Sequence, residues 1–171
     1  MDIIHDMVIP CLCSFIACAA LGVQFNIRFR HLIAASVGSL VSQFIFILLE
    51  QNGFRDVVCC FVSAAAVALF SEIMAKVNKA PVNMYLIIGI IPLVPGGLAY
   101  YSMLALVMGD KDTFLDRAVD AFAEAGAIAM GIFAVSSAVK IYKDIKRHYR
   151  KSLNKAYKHL ASGDGKSVKK F

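Results

Sequence analysis

Three acidic residues, Asp116, Asp120 and Glu124, recur every four positions near the end of the apolar part of the chain. That spacing stacks them on one face of a helix. At 1.5 Å of rise per residue they cover about 12 Å of depth. Asp116 and Asp120 belong at an interface, whereas Glu124 falls well inside an apolar layer. A carboxylate at that depth costs about 2.5 kcal/mol or more unless it is paired, protonated or wetted. Glu124, with Asp120, is therefore a candidate for proton coupling on a solute path. The alternative is a structural acid, paired with Arg117 or with another chain.

The second candidate is a stretch of backbone. Met84 to Met108 is long and apolar enough to cross a bilayer, yet its middle reads Pro92-Leu93-Val94-Pro95-Gly96-Gly97. Pro92 cannot donate to the carbonyl of Ile88, nor Pro95 to that of Ile91, and each ring crowds that carbonyl at about 3 kcal/mol inside a helix. The adjacent glycines allow backbone angles that other residues avoid. The expectation is two half-helices, roughly 84–94 and 98–108, joined by an irregular hinge near the midplane. Free backbone groups at that depth are tolerated only inside protein or beside a water-filled cavity, and transporters use such breaks to hold polar solutes. Pro92, Pro95, Gly96 and Gly97 are thus candidate substrate-binding residues, against the alternative of a buried proline kink. A half-helix N-terminus after Gly97 would receive a carboxylate, and Tyr100 would offer a hydroxyl. Asn26, in the turn after the first apolar segment, is either a helix cap or a further solute contact.

The elements that must position these groups are apolar helices. The chain of 171 residues is 59% hydrophobic, where soluble domains are nearer 45–50%. Apolar segments fall near 3–22, 33–49, 57–75, 84–108 and 117–139. The fold class is an all-α integral membrane protein of about five transmembrane helices, or four if the first segment lies peripherally. One is broken at the PxxPGG motif, and a basic amphipathic C-terminal helix follows. The transmembrane domain is placed at 1–139 and a basic cytoplasmic tail at 140–171. The first segment carries Asp2, His5 and Asp6 and no Lys or Arg ahead of its apolar run, so it is expected to be a span rather than a signal peptide.

Cytoplasmic loops are enriched in Lys and Arg. With five spans and the C-terminus inside, fifteen Lys and Arg lie inside and three outside (Arg55, Lys111 and Arg117). Eleven of the fifteen lie between Lys140 and Lys170, so the tail supplies most of the bias. Ile141, Ile145, Tyr149, Leu153, Tyr157 and Leu160 make the apolar stripe of that tail, which is expected along an anionic lipid surface. No nucleic-acid-binding module accompanies its charge. Ala161 to Phe171 is expected to be disordered.

Span two carries Ala35, Ser39 and Ser42, and also Ala34, Gly38 and Ser42, at spacings of three and four, a face on which another helix can approach closely. Gln43 is expected to hydrogen-bond between helices. Thr113 and Asp116 make a weak capping-box pattern. Cys11, Cys13, Cys18, Cys59 and Cys60 lack zinc-type spacing and read as small buried hydrophobes. No metal or cofactor is implied. With no nucleophile elbow, P-loop or HExxH, no enzyme is expected.

Phe25-Asn26-Ile27, Gly38, Ser71-Glu72, Ala75, Ala80-Pro81, Ile90 to Gly97 with Tyr100-Tyr101, and Ala125 to Ala129 with Gly131 together resemble the small, C-terminal-type membrane component of the threonine/serine exporter family. The resemblance covers about residues 5–139. Arg28 stands after Ile27, where the family often has a proline close behind the FN pair. The resemblance implies a subunit of the bacterial inner membrane that works with a larger membrane subunit, driven by the proton-motive force. Threonine and serine are the named substrates, with dicarboxylates such as succinate reported for related pairs. A thin scaffold of five helices also suggests a homo-oligomer. The rival is a non-transporting subunit that only stabilises its partner.

Overall fold

The computed structural model describes residues 2–167, with side chains from 7 to 150. The described residues are helical with short connections: α1 (Asp2–Gln24), α2 (Phe29–Gln51), α3 (Asp56–Asn78), α4 (Val82–Ile90), a 3-10 turn (Ile91–Leu93), α5 (Gly96–Val107) and α6 (Lys111–Ser167). α1, α2, α3 and the first part of α6 are long and apolar enough to cross a membrane. Val82–Leu93 and Gly96–Val107 qualify together as a broken fifth, bent by 51°. The protein is an all-α integral membrane protein. The chain divides into two units, Met1–Ser136 and Ser137–Phe171.

Short turns make neighbours of consecutive helices. α1 ends where Asn26 takes a left-handed φ of 55°, which asparagine tolerates better than most residues. The Ile27 N–H then reaches back to the Gly22 carbonyl at 3.1 Å, so Asn26 caps α1. Lys79 repeats the device at φ 52° and ends α3, before Pro81 sets up α4.

Small residues let α2, α3 and α4 approach closely, as the spacing in span two predicts. Ala35, Ser36, Gly38, Ser39 and Ser42 of α2 are buried, as are Ser63, Ala64, Val67, Ala68 and Ser71 of α3. The three helices meet at Gly89, where an added Cβ would lie 2.6 Å from Val67 Cγ1 and 3.7 Å from the Gly38 backbone. At the far end of α4, the Tyr85 hydroxyl and His31 Nδ1 are 2.7 Å apart and tie α4 to the start of α2.

α6 rests on α3 at Gly131, where a Cβ would sit 2.6 Å from the Phe61 carbonyl oxygen and 3.2 Å from the Ala65 nitrogen. A Cβ on Gly126, five residues earlier, meets nothing within 4 Å. The two glycines should therefore respond with opposite sign. Gly131→Ala must move backbone and is expected to destabilise by about 1–3 kcal/mol. Gly126→Ala is expected to be neutral or stabilising by up to about 1 kcal/mol through helix propensity. Thermal unfolding in detergent reads both.

The start of α6 corrects the capping pattern. Asp110, rather than Thr113, is the cap: its Oδ1 accepts the Thr113 N–H at 3.2 Å and its Oδ2 the Thr113 hydroxyl at 2.7 Å. Gly109, at φ 82°, ends the preceding turn and delivers Asp110 to the new helix start, where a carboxylate also meets the positive end of the dipole. These bonds hold the Asp110 carboxyl below its ordinary value. Its stabilisation is present above the usual carboxylate range and lost as pH falls through the lowered native value. Asp110→Ala should thus lower the melting temperature at neutral pH, and the gap to the wild type should close in acid.

The unit from Ser137 onward is helical through Ser167, where composition predicts disorder from Ala161. An established helix propagates one residue at a time, which is cheaper than nucleation. Residues 168–171, and the side chains of Leu153, Tyr157 and Leu160 in the predicted stripe, lie outside the described residues. Ile141, Ile145 and Tyr149 are exposed.

Candidate functional site

Pro92 and Pro95 leave the Ile88 and Ile91 carbonyls without their helical donors, and the fold supplies other partners around the break. The Ile88 carbonyl accepts the Cys18 thiol at 3.5 Å. The Gly89 carbonyl lies 2.9 Å from Ser42 Oγ, and the Ile91 carbonyl accepts the Val94 N–H at 3.2 Å. Pro95, at φ −73° and ψ 56°, is the centre of an inverse γ-turn in which Gly96 N–H donates to the Val94 carbonyl at 2.7 Å. Beyond it α5 starts abruptly. Among the described residues the N–H groups of Gly97 and Leu98 have no backbone acceptor. They are orphan donors of a helix start, carrying its partial positive charge.

Those donors border a cavity. It measures about 270 Å³ and is lined by Pro92 through Leu98, by Gln43, Phe46 and Glu50 of α2, by Asp56 and Cys60 of α3, and by Glu124 of α6. A second, of about 220 Å³, is lined by Arg55, Asp56, Val57, Leu98, Asp120 and Glu124. They share Asp56, Leu98 and Glu124, so they adjoin. Four carboxylates thus face the break from three helices, and Arg55 is the one cation among the lining residues. No group of three or more His, Cys, Asp or Glu could hold a metal ion among the described residues.

The glycines have a different reason from the one their backbone freedom suggests. Neither Gly96 nor Gly97 has a positive φ, so the turn does not require them. A Cβ on either meets nothing within 4 Å, so packing does not require them either. What their missing side chains leave open is the approach to the Gly97 and Leu98 donors. Gly89, beside Gly38 and Val67, occupies mid-height in α2 and α3, and the break follows it toward the turn that joins those two helices.

Of the residues the sequence singles out, Pro92, Pro95, Gly96, Gly97 and Glu124 share one cavity, and Asp120 borders the adjoining one. Tyr100 is 63% exposed and packs edge-on against Tyr101, with ring centres 5.3 Å apart; it lines neither cavity. Asn26 lies in the α1–α2 turn and borders a separate cavity with Met84 and Ile87. Gln43, expected to bond between helices, instead lines the cavity, and its amide has no hydrogen-bond partner among the described residues. Arg117, the suggested partner of Glu124, sits 5.6 Å from the Tyr101 ring centre.

Glu50, Asp56, Cys60 and Phe46 complete the lining without having been singled out. Glu50 and Asp56 stand at the end of α2 and the start of α3, and their level relative to the break depends on how α4 docks. The available signal was Gly89: matched to Gly38, it sets the register that brings Gln43 and Glu50 level with Pro92 to Gly97.

The interrupted span, its free amide donors and the carboxylates thus surround one cavity. The sequence profile described as Threonine/Serine exporter, ThrE matches residues 10–138, and the chain belongs to that family. Neither the curated proteins nor the solved structures gave a significant match.

Proposed function

We propose that the chain is the smaller membrane subunit of a proton-coupled exporter of threonine, serine or a similar zwitterion. It works with a larger membrane subunit, in a bacterial inner membrane, with its C-terminus in the cytoplasm. One observation carries this reading: the free Gly97 and Leu98 donors and the Glu124 carboxylate face the same cavity.

The two ends of an amino acid need opposite surroundings. The substrate carboxylate binds the Gly97 and Leu98 N–H groups at the α5 start. Its ammonium faces Glu50, Asp56 and Glu124. Glu124 takes up and releases the coupled proton, with Asp120 beside it in the adjoining cavity. The same lining disfavours a dicarboxylate, whose second negative charge would meet three acids.

The test is export from cells producing this chain with its larger partner. Threonine should appear outside at a rate that uncouplers abolish, and Pro95→Ala should lose that rate while the complex still assembles. Loss of assembly with unchanged export per complex would instead favour a purely stabilising subunit. Flux indifferent to uncouplers would indicate a passive channel.

A further inference from the structure

At the opposite end of α4 from the break, two cavities meet. One, of about 600 Å³, is lined by Arg28, Arg30 and Lys79 among others. The other, of about 460 Å³, is walled by Ile27, Met84, Ile87 and Ile88. Arg28 and His31 border both. The hydrogen bond between His31 and buried Tyr85 fixes that shared wall.

The basic compartment is built by the two turns. Asn26 and Lys79 each adopt the left-handed conformation, which brings the start of α2 beside the end of α3. Among the described residues, Arg28, Arg30 and Lys79 have no carboxylate partner. No acid lines either cavity. The Phe29 and Arg30 N–H groups at the α2 start also lack backbone acceptors. Three unpaired cations and a helix start call for an anion with several oxygens. The adjoining apolar groove calls for a hydrocarbon chain on the same molecule, because a soluble anion would leave it empty.

We propose that this pair of cavities is a discrete binding site for one anionic phospholipid. The headgroup phosphate lies among Arg28, Arg30 and Lys79, and an acyl chain lies along Ile87 and Ile88. The site bridges α2, α3 and α4, so a bound lipid braces the half of the broken span that carries Tyr85. It is built from none of the tail's residues, whose attraction to lipid would be diffuse and screened by salt.

The test uses the full chain, purified without lipid in an uncharged detergent and melted against added phosphatidylglycerol, phosphatidylcholine or inorganic phosphate. Phosphatidylglycerol should raise the melting temperature by about 5–10 °C at a hundredfold excess over Kd, saturating near one lipid per chain at moderate salt. Phosphatidylcholine and phosphate should give little. The triple variant Arg28→Gln, Arg30→Gln, Lys79→Asn, whose asparagine keeps the left-handed turn, should lose the saturable shift. Ile87→Trp, which keeps the cations and fills the groove, should weaken it at least fivefold. An equal shift with phosphatidylcholine would overturn the proposal. So would an equal shift with phosphate alone, which would mark a soluble-anion site, or a full shift in the triple variant, which would assign the effect to the tail.

Discussion

Gly97→Leu is expected to stop export while leaving the protein folded, inserted and assembled with its partner. The position has no structural need for glycine: its φ is not left-handed, and a Cβ there meets nothing within 4 Å. A leucine at a helix start even gains a fraction of the roughly 1 kcal/mol that separates glycine from good helix formers. Its side chain must, however, occupy a cavity of about 270 Å³ and cover two amide donors. Export should fall at least tenfold, which corresponds to about 1.4 kcal/mol of lost interaction, with a melting temperature within about 3 °C of the wild type. Gly131→Ala is the natural contrast, because its Cβ collides with the α3 backbone. It should cost stability first and export only in proportion to the protein lost.

Glu124→Gln is the second large effect. The change keeps size and hydrogen-bonding capacity and removes the titrating proton. Net uphill export should fall at least tenfold, while downhill exchange of labelled threonine for unlabelled threonine across the membrane should persist. A carrier that has lost its proton site can still bind and reorient with substrate. If both fluxes fell together with binding, Glu124 would be a substrate contact rather than a proton site. Unchanged proton-driven export would remove it from the mechanism. Asp120→Asn should have the smaller effect, since Asp120 borders only the adjoining cavity.

How much of this was legible in the sequence follows from what each feature depends on. The broken span was legible, because proline removes a donor wherever it sits in a helix. The small-residue face of α2 was legible from spacing alone, and Gly38, Ser39 and Ser42 are buried as that spacing requires. The fate of the freed carbonyls was not legible. Whether Ile88 and Gly89 offer their oxygens to a solute or to Cys18 and Ser42 is decided by helices far apart in the chain. For the same reason the sequence suggested both carbonyls and amides for the solute, whereas the structure leaves chiefly the Gly97 and Leu98 amides. Glu124 stood out by depth, whereas nothing local ties Glu50 and Asp56, equally part of the lining, to the break. Tyr100 shows the converse limit. Three residues beyond Gly97 is close enough in sequence to share its site, but the Tyr100 ring lies exposed against Tyr101 and borders neither cavity.

The most direct measurement asks whether water and substrate reach the helix start. In a variant whose five native cysteines are replaced, Gly97→Cys should react with a hydrophilic maleimide, and threonine should slow that reaction in a saturable way. Asn52→Cys in the exposed α2–α3 turn serves as the freely reactive reference. A Gly97→Cys thiol that stays unmodified while the reference reacts, with or without threonine, would contradict a hydrated, substrate-accessible break.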